Sequence, residues 1–275
     1  KQQKVGALMR VLVTGGAGYI GSHTVKMLEK IADKVVVYDN LSKGHKQAVP
    51  NSILVQGDLF DKKLLKTVLT EHKIEAVVHF AAFSLVAESM TNPQLYYHNN
   101  VQGTLSLLEV MLECSVNKLV FSSTAAVYGE PEVMPISEED LKNPTNVYGQ
   151  TKLEGELAVS QTLGKYFIVR IAWVFGQNGK NFVKTMLNVG KTHDTVRVVN
   201  DQIGTPTYTF DLARLLVDMI ESDKYGYYHA TNEGGYISWY DFTCEIYRQA
   251  GYKTKVTPVT TEEYGLSKAV RPFNS

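Results

Sequence analysis

The 275-residue chain carries 28 Lys and Arg against 28 Asp and Glu and is 44% hydrophobic. Balanced charge supplies no excess positive field for nucleic acid or an anionic membrane, and the apolar fraction suffices for one large domain or a major and a minor one. The cysteines Cys114 and Cys244 are too few for a disulfide framework and fit a reducing, cytoplasmic compartment. No uninterrupted apolar run reaches bilayer length, and Lys1 to Leu8 lacks the apolar core of a signal peptide. Those eight residues read as an appended remnant, with Met9 as the natural start.

The first element is a strand at Val11-Leu-Val-Thr14, followed by Gly15-Gly-Ala-Gly18-Tyr-Ile-Gly21. Glycines at this spacing allow a tight turn, close approach to a pyrophosphate and packing of the next helix on the sheet. The anion then sits on that helix's N-terminus. A second strand, Val35-Val-Val-Tyr38, ends in Asp39, about 20 residues beyond the turn, where a carboxylate accepts hydrogen bonds from an adenosine ribose. The implied ligand is NAD, and a 2′-phosphate beside Asp39 would be repelled.

Ile53-Leu-Val-Gln56 follows as a third strand. Asp58 lies beyond it, either to accept from an adenine amino group or to cap the helix starting near Asp61. That helix presents Leu64, Leu65, Val68 and Leu69, and Ala76 to Phe80 forms a fourth strand. Phe80-Ala-Ala82 ends it in small residues, which suit either a dinucleotide crossing the backbone or ordinary packing. A long helix from Gln94 to Cys114 carries Asn99, a candidate amide at a cofactor edge, and Asn100, read as part of a solvated face. The fifth strand, Leu119 to Thr124, ends in the hydroxyls of Ser122, Ser123 and Thr124.

Pro131, Pro135 and Pro144 mark an irregular connection, after which Val147 to Leu163 has helical character. The remainder reads as a strand at Phe167 to Ala172, a helix at Phe182 to Val189, a strand at Val196 to Val199, and helices at Asp211 to Ile220 and Ile237 to Ala250. Strands alternating with helices imply right-handed βαβ units and a parallel sheet. The fold class is therefore α/β, a Rossmann-type doubly wound sheet over residues 9–175. A smaller substrate-binding lobe follows over 176–275, with some segments returning to the sheet.

Tyr148 and Lys152 are four apart and project from one helical face. A free phenol has a pKa of about 10, so a tyrosine acting near neutrality needs adjacent positive charge, which Lys152 and an oxidised nicotinamide both supply. Tyr148 is thus the expected proton donor and acceptor, with Thr124 holding the same substrate oxygen. The histidines are scattered and no catalytic metal is expected. His79, in an apolar strand, reads as a satisfied core residue.

The motifs Gly15 to Gly21, Tyr38-Asp-Asn-Leu-Ser42, Gly57-Asp-Leu59, His79-Phe-Ala-Ala82, Asn99-Asn-Val-Gln-Gly-Thr104, Ser122 to Gly129 and Tyr148-Gly-Gln-Thr-Lys152 resemble the UDP-glucose 4-epimerases, members of the extended short-chain dehydrogenases/reductases. The resemblance covers about the first 150 residues. It implies NAD contacts at Gly15, Gly18, Tyr19, Ile20, Gly21, Asp39, Asn40, Asp58, Leu59, Phe80, Ala81, Ala82, Asn99, Ser122, Tyr148 and Lys152. It also implies Thr124, Tyr148 and Lys152 as catalytic positions. Beyond Lys152 the epimerase segment R-Y-F-N is replaced by Arg170-Ile-Ala-Trp-Val-Phe-Gly176. That segment, Asn181 to Met186, Asp201 to Thr207 and Asp211-Leu-Ala-Arg214 are similar to the dTDP-4-dehydrorhamnose reductases. The two resemblances meet near Tyr148 and imply a chimera. They point to Ser84, Thr124, Trp173 and Asn181 as substrate contacts, to a dTDP- or UDP-linked sugar, and to a homodimer paired through the helices at 94–114 and 147–163. In the reductases, helical sequence follows the counterpart of Val270-Arg-Pro272, so a chain ending at Ser275 is expected to expose apolar surface.

Overall fold

The computed structural model describes residues 9–130 and 135–265. Lys1 to Leu8, Pro131 and Val270 to Pro272 lie outside the described residues. The chain opens with β1 (Arg10–Thr14), α1 (Tyr19–Leu28), β2 (Lys34–Asp39), β3 (Ile53–Gln56), α2 (Lys62–Glu71) and β4 (Ala76–His79). It continues through α3 (Val86–Thr91), α4 (Pro93–Tyr96), a π-helical segment at Tyr97–Gln102, α5 (Gly103–Glu113), β5 (Lys118–Thr124), α6 (Val147–Thr162) and β6 (Lys165–Ile171). The rest comprises β7 (Val174–Phe175), α7 (Phe182–Thr192), β8 (Thr195–Val199), β9 (Ile203–Gly204), β10 (Thr207–Tyr208), α8 (Thr209–Glu221), β11 (Gly226–Ala230), β12 (Ile237–Ser238), α9 (Trp239–Ala250), β13 (Lys255–Val259) and α10 (Thr261–Tyr264).

Seven strands form one sheet in the order β11-β6-β5-β4-β1-β2-β3, and each neighbouring pair is parallel. The order reverses between β1 and β4, the switch point at which such sheets bind ligands. Alternate side chains feed two layers. Val11 and Val13 pack with Val25 and Leu28 of α1 and Leu212 and Leu216 of α8. Leu12 faces the opposite way, toward Leu65, Leu107 and Val159 of α2, α5 and α6. The strands read as continuous apolar runs because both faces are covered. From the C-terminal portion, β11 pairs beside β6 in this sheet and α8 packs against α1. Its remaining pieces pair as β7 with β10, β8 with β13 and β9 with β12 around α7 and α9.

Candidate active site

At the end of β1 the backbone turns at Gly15, with φ +67°, and its N–H donates to Tyr38 O at 2.9 Å. A Cβ on Gly15 would lie 2.6 Å from Ala81 N, and one on Gly21 would lie 2.4 Å from Gly15 O, so neither position accepts a side chain. Gly18 precedes α1 and offers no side-chain cap, leaving the first helical N–H groups for an anion. This cradle fits a dinucleotide's pyrophosphate.

A cavity of about 100 Å³ runs from Gly15 and Gly18 past Asp39, Asn40, Asp58 and Leu59 to Phe80, Ala81, Ala82 and Asn99. Ten of the expected cofactor positions thus share one wall. Ser42, Lys43 and Gly44 also line it and were not singled out from sequence; their signal was the polar run directly after Asp39. The Asp39 carboxylate is buried, accepting from Ala17 N at 3.0 Å and Leu41 N at 2.8 Å, with lone pairs left for a ribose. Asp61, not Asp58, caps α2, accepting from Leu64 N at 2.9 Å. Asp58 instead accepts from Asn40 Nδ2 and Phe60 N, which holds its carboxylate at the cavity wall. Tyr19, Ile20, Gly21, Ser122, Tyr148 and Lys152 lie outside this wall. Ile20 packs into the core, and Tyr19 stands against Gly179, where a Cβ would lie 2.6 Å from the Tyr19 ring.

The candidate reaction centre is assembled where β5 meets α6. The Asn146 side chain caps α6, accepting from Gly149 N at 2.8 Å. A Cβ on Gly149 would approach Ala126 O to 2.4 Å, so the helix starts directly against the residues following Thr124. This places the Tyr148 hydroxyl beside Thr124, close enough for the two to interact. One turn on, Lys152 is 4% exposed, with Nζ 4.3 Å from the Phe121 ring centroid. Burial pushes the Tyr148 phenol up to about 12, opposed by the Thr124 hydroxyl. Burial lowers Lys152 to about 8, opposed by the Glu156 carboxylate. At neutral pH the pair therefore stands as phenol and ammonium, the forms needed to donate a proton to a substrate carbonyl.

Buried polar groups hold this centre. Asn100 is 2% exposed, which corrects its reading as solvated: Oδ1 accepts from Phe83 N at 2.8 Å and Nδ2 donates to Phe83 O at 3.0 Å and Thr151 Oγ1 at 3.1 Å. Asn99 donates to Asn100 Oδ1. Behind the site Glu156 accepts from Arg170 Nε and Nη2 at 2.9 and 2.7 Å and from Ser123 Oγ. Arg170 also donates to the Tyr128 hydroxyl, whose other partner is His229 Nε2 at 2.7 Å. The network ties β5, α6, β6 and β11 together.

Around the opening, Ser84 is exposed and Trp173 holds a left-handed backbone, φ +47°, with its ring stacked on Trp239 at 3.5 Å between centroids and 8° between planes. Asn181 caps α7, accepting from Lys184 N, and donates to Gly176 O at 2.8 Å. This structural role was not foreseen. A second cavity of about 140 Å³ lies next to the reaction centre, lined by Ala125, Ile171, Ala172, Thr205 and Thr231 among others.

The family model described as RmlD substrate binding domain matches residues 9–275. UDP-glucose 4-epimerase of Halalkalibacterium halodurans is 57% identical over 145 residues, 53% of this chain and 43% of that protein. The chain thus spans less than half of that relative's length. The corresponding epimerase of Corynebacterium glutamicum is 39% identical over 251 residues, 82% of this chain and 75% of that protein. Among solved structures, dTDP-4-dehydrorhamnose reductase from Bacillus anthracis in complex with NADP superposes with a TM-score of 0.86 at 32% identity, covering 97% of this chain and 89% of that one. UDP-glucose 4-epimerase from Brucella ovis in complex with NAD gives 0.82 at 32% identity, covering 97% and 88%. The chain therefore belongs to the RmlD substrate binding domain family, among the nucleotide-sugar reductases and epimerases of the extended short-chain dehydrogenase/reductase kind.

Proposed function

We propose that this chain is an NAD(H)-dependent oxidoreductase acting at C4 of a nucleotide-diphosphate sugar, and that its reaction is reduction of a dTDP-4-keto-6-deoxy sugar. One observation carries the reading: Thr124, Tyr148 and a buried Lys152 stand together on β5 and α6, and α6 is hydrogen-bonded through Thr151 and Asn100 to Phe83, which lines the cavity built around a glycine cradle and a strand-end carboxylate. Gly15 and Gly18 hold the pyrophosphate, Asp39 the adenosine ribose, and Lys152 the nicotinamide ribose. NAD, when bound, supplies hydride exchange with C4.

The chain's own residues handle the proton. Thr124 donates a hydrogen bond to the C4 oxygen and orients it. Tyr148 gives its proton to that oxygen as it becomes a hydroxyl. Lys152 stabilises the resulting phenolate by proximity of its ammonium. A module that merely bound NAD would have no need of the hydroxyl, phenol and ammonium together.

A second reading, epimerisation at C4 of UDP-glucose, is favoured by the 57% identity to an epimerase. The change of motifs beyond Lys152 supports a chimera of the two kinds, against which stands the 39% identity to one epimerase over 251 residues, and a mosaic whose lobes dock imperfectly would be inactive. Incubation with dTDP-4-dehydrorhamnose and NADH, or with UDP-glucose, followed by product chromatography separates these. Reduction of the first supports the reductase reading, and UDP-galactose from the second supports the epimerase. No conversion of either supports the inactive mosaic. Tyr148→Phe should abolish turnover while NAD still binds, and full activity in it would remove the acid/base role.

A further inference from the structure

Tyr148 is the second residue of α6, where backbone N–H groups lack partners within the helix. The Asn146 cap takes the Gly149 N–H, and the Tyr148 N–H reaches across to another element. It donates to Ser89 Oγ at 3.1 Å, and Ser89 Oγ in turn donates to Val86 O at 2.7 Å. Ser89 is fully buried. It sits on α3, the short helix that follows the segment Phe80–Leu85, whose first residues line the cofactor cavity.

That segment is gripped along its backbone. Asn100 binds Phe83 N and O, and the Tyr96 hydroxyl accepts from Leu85 N and donates to Leu85 O, both at 2.9 Å. Asn100 also donates to Thr151 Oγ1, which donates to Tyr148 O at 2.9 Å. Both peptide groups flanking the Tyr148 side chain are therefore tied to groups that hold the cofactor-lining segment.

We propose that Ser89 is a positioning residue for the reaction: it fixes the Tyr148 backbone relative to the segment Phe80–Leu85 and so couples the cofactor wall to the placement of the phenol against Thr124. The proposal rests on Tyr148 being the acid of the reaction. Without the Ser89 hydroxyl the Tyr148 N–H loses its acceptor, and the first turn of α6 is free to shift toward water.

The test compares Ser89→Ala and the nearly isosteric Ser89→Cys, a weak acceptor, with the wild type and Tyr148→Phe. Ultraviolet difference titration of wild type against Tyr148→Phe isolates the Tyr148 phenolate without cofactor or substrate. In Ser89→Ala its midpoint should move down toward the ordinary 10, because relief of burial, the larger cause, outweighs loss of the Thr124 contact, which lowered it. Turnover on the sugar that the wild type converts should fall about tenfold to a hundredfold with KM and NAD affinity unchanged, as expected for misplacement on the order of 1 Å. Ser89→Cys should fall between the two. An unchanged phenolate midpoint and kcat in both variants would overturn the proposal, as would activity losses matching only the fraction unfolded. If Tyr148→Phe stays fully active, the acid/base reading fails instead. If Tyr148→Phe is inactive and Ser89→Ala is normal, only the positioning role fails.

Discussion

His79 offers the sharpest test of how this core is satisfied. Its ring is 1% exposed, with Nδ1 2.6 Å from Thr14 Oγ1 and Nε2 3.1 Å from Thr104 Oγ1. Thr104 Oγ1 already donates to Asn100 O at 2.6 Å, so its lone pair is left to accept from the ring. That assigns the neutral Nε2–H tautomer, with Nδ1 accepting from Thr14. Burial, and secondarily the Lys152 charge, lowers His79 to about 3 from its ordinary 6.5. The folded value lies below the unfolded one, so the unfolded chain binds more protons and stability falls as the pH drops below about 6.5. At about pH 5, 1.5 units below that value, the loss is about 2 kcal/mol at 1.36 kcal/mol per unit. For a chain of this size, at about 2.1 cal/mol/K of unfolding entropy per residue, it lowers the melting temperature by about 3–4 °C. Calorimetry of the wild type and His79→Gln across this range should show the variant less stable near neutrality but with a shallower acid slope. The comparison is needed because His23 and His229, also lowered by burial, add slope of the same sign. Identical slopes, or a His79 nuclear resonance titrating above about pH 6, would refute the assignment.

Three further outcomes rest on named contacts. Arg170→Met leaves Glu156 buried without its bidentate partner and should destabilise the fold by about 3–5 kcal/mol, with Arg170→Met/Glu156→Gln recovering part of it in urea unfolding. NAD should bind more tightly than NADP because Asp39 stands at the ribose, and Asp39→Ala should narrow the difference; equal affinities in the wild type would contradict this. Leu105 and Leu112, one face of α5, and Leu157 of α6 are 48%, 50% and 46% exposed, so a homodimer through these helices is expected; light scattering of the wild type should give twice the chain mass and Leu112→Glu the single mass.

The sheet was readable because its strands are short apolar runs punctuated by glycine and acid, and the Tyr148–Lys152 spacing survived as one helical face. Asn100 is in register with the buried face, four, seven and eleven residues before the buried Thr104, Leu107 and Met111, so its polarity and not its position made it look solvated; its amide is satisfied by Phe83 and Thr151, which lie far away in sequence. Helix α6 was placed from its sequence, and burial of Lys152 was legible through its spacing from Tyr148, whereas Glu156 on the same buried face carried no signal of its own. Charge in a helix normally marks the solvent side, and here each is sustained by a partner from another strand or by its place in the reaction centre.

Trp173 bears on which reaction the site supports. A non-glycine residue held in the left-handed region costs about 1–3 kcal/mol, and such strain persists only where surrounding contacts over-determine it. Here the stack on Trp239, itself packed against Phe182, fixes the ring at the end of the strand that lines the second cavity. An epimerase must release a 4-keto sugar from one face and receive it on the other, which needs a wall that yields. A reductase needs one pose. Neither indole lines either cavity, so the stack fixes only the backbone leading out of Ile171 and Ala172, which do line the second one; if turning of the sugar is restrained from there, Trp173→Ala should raise the share of C4 epimer among the products, and an unchanged product ratio refutes it.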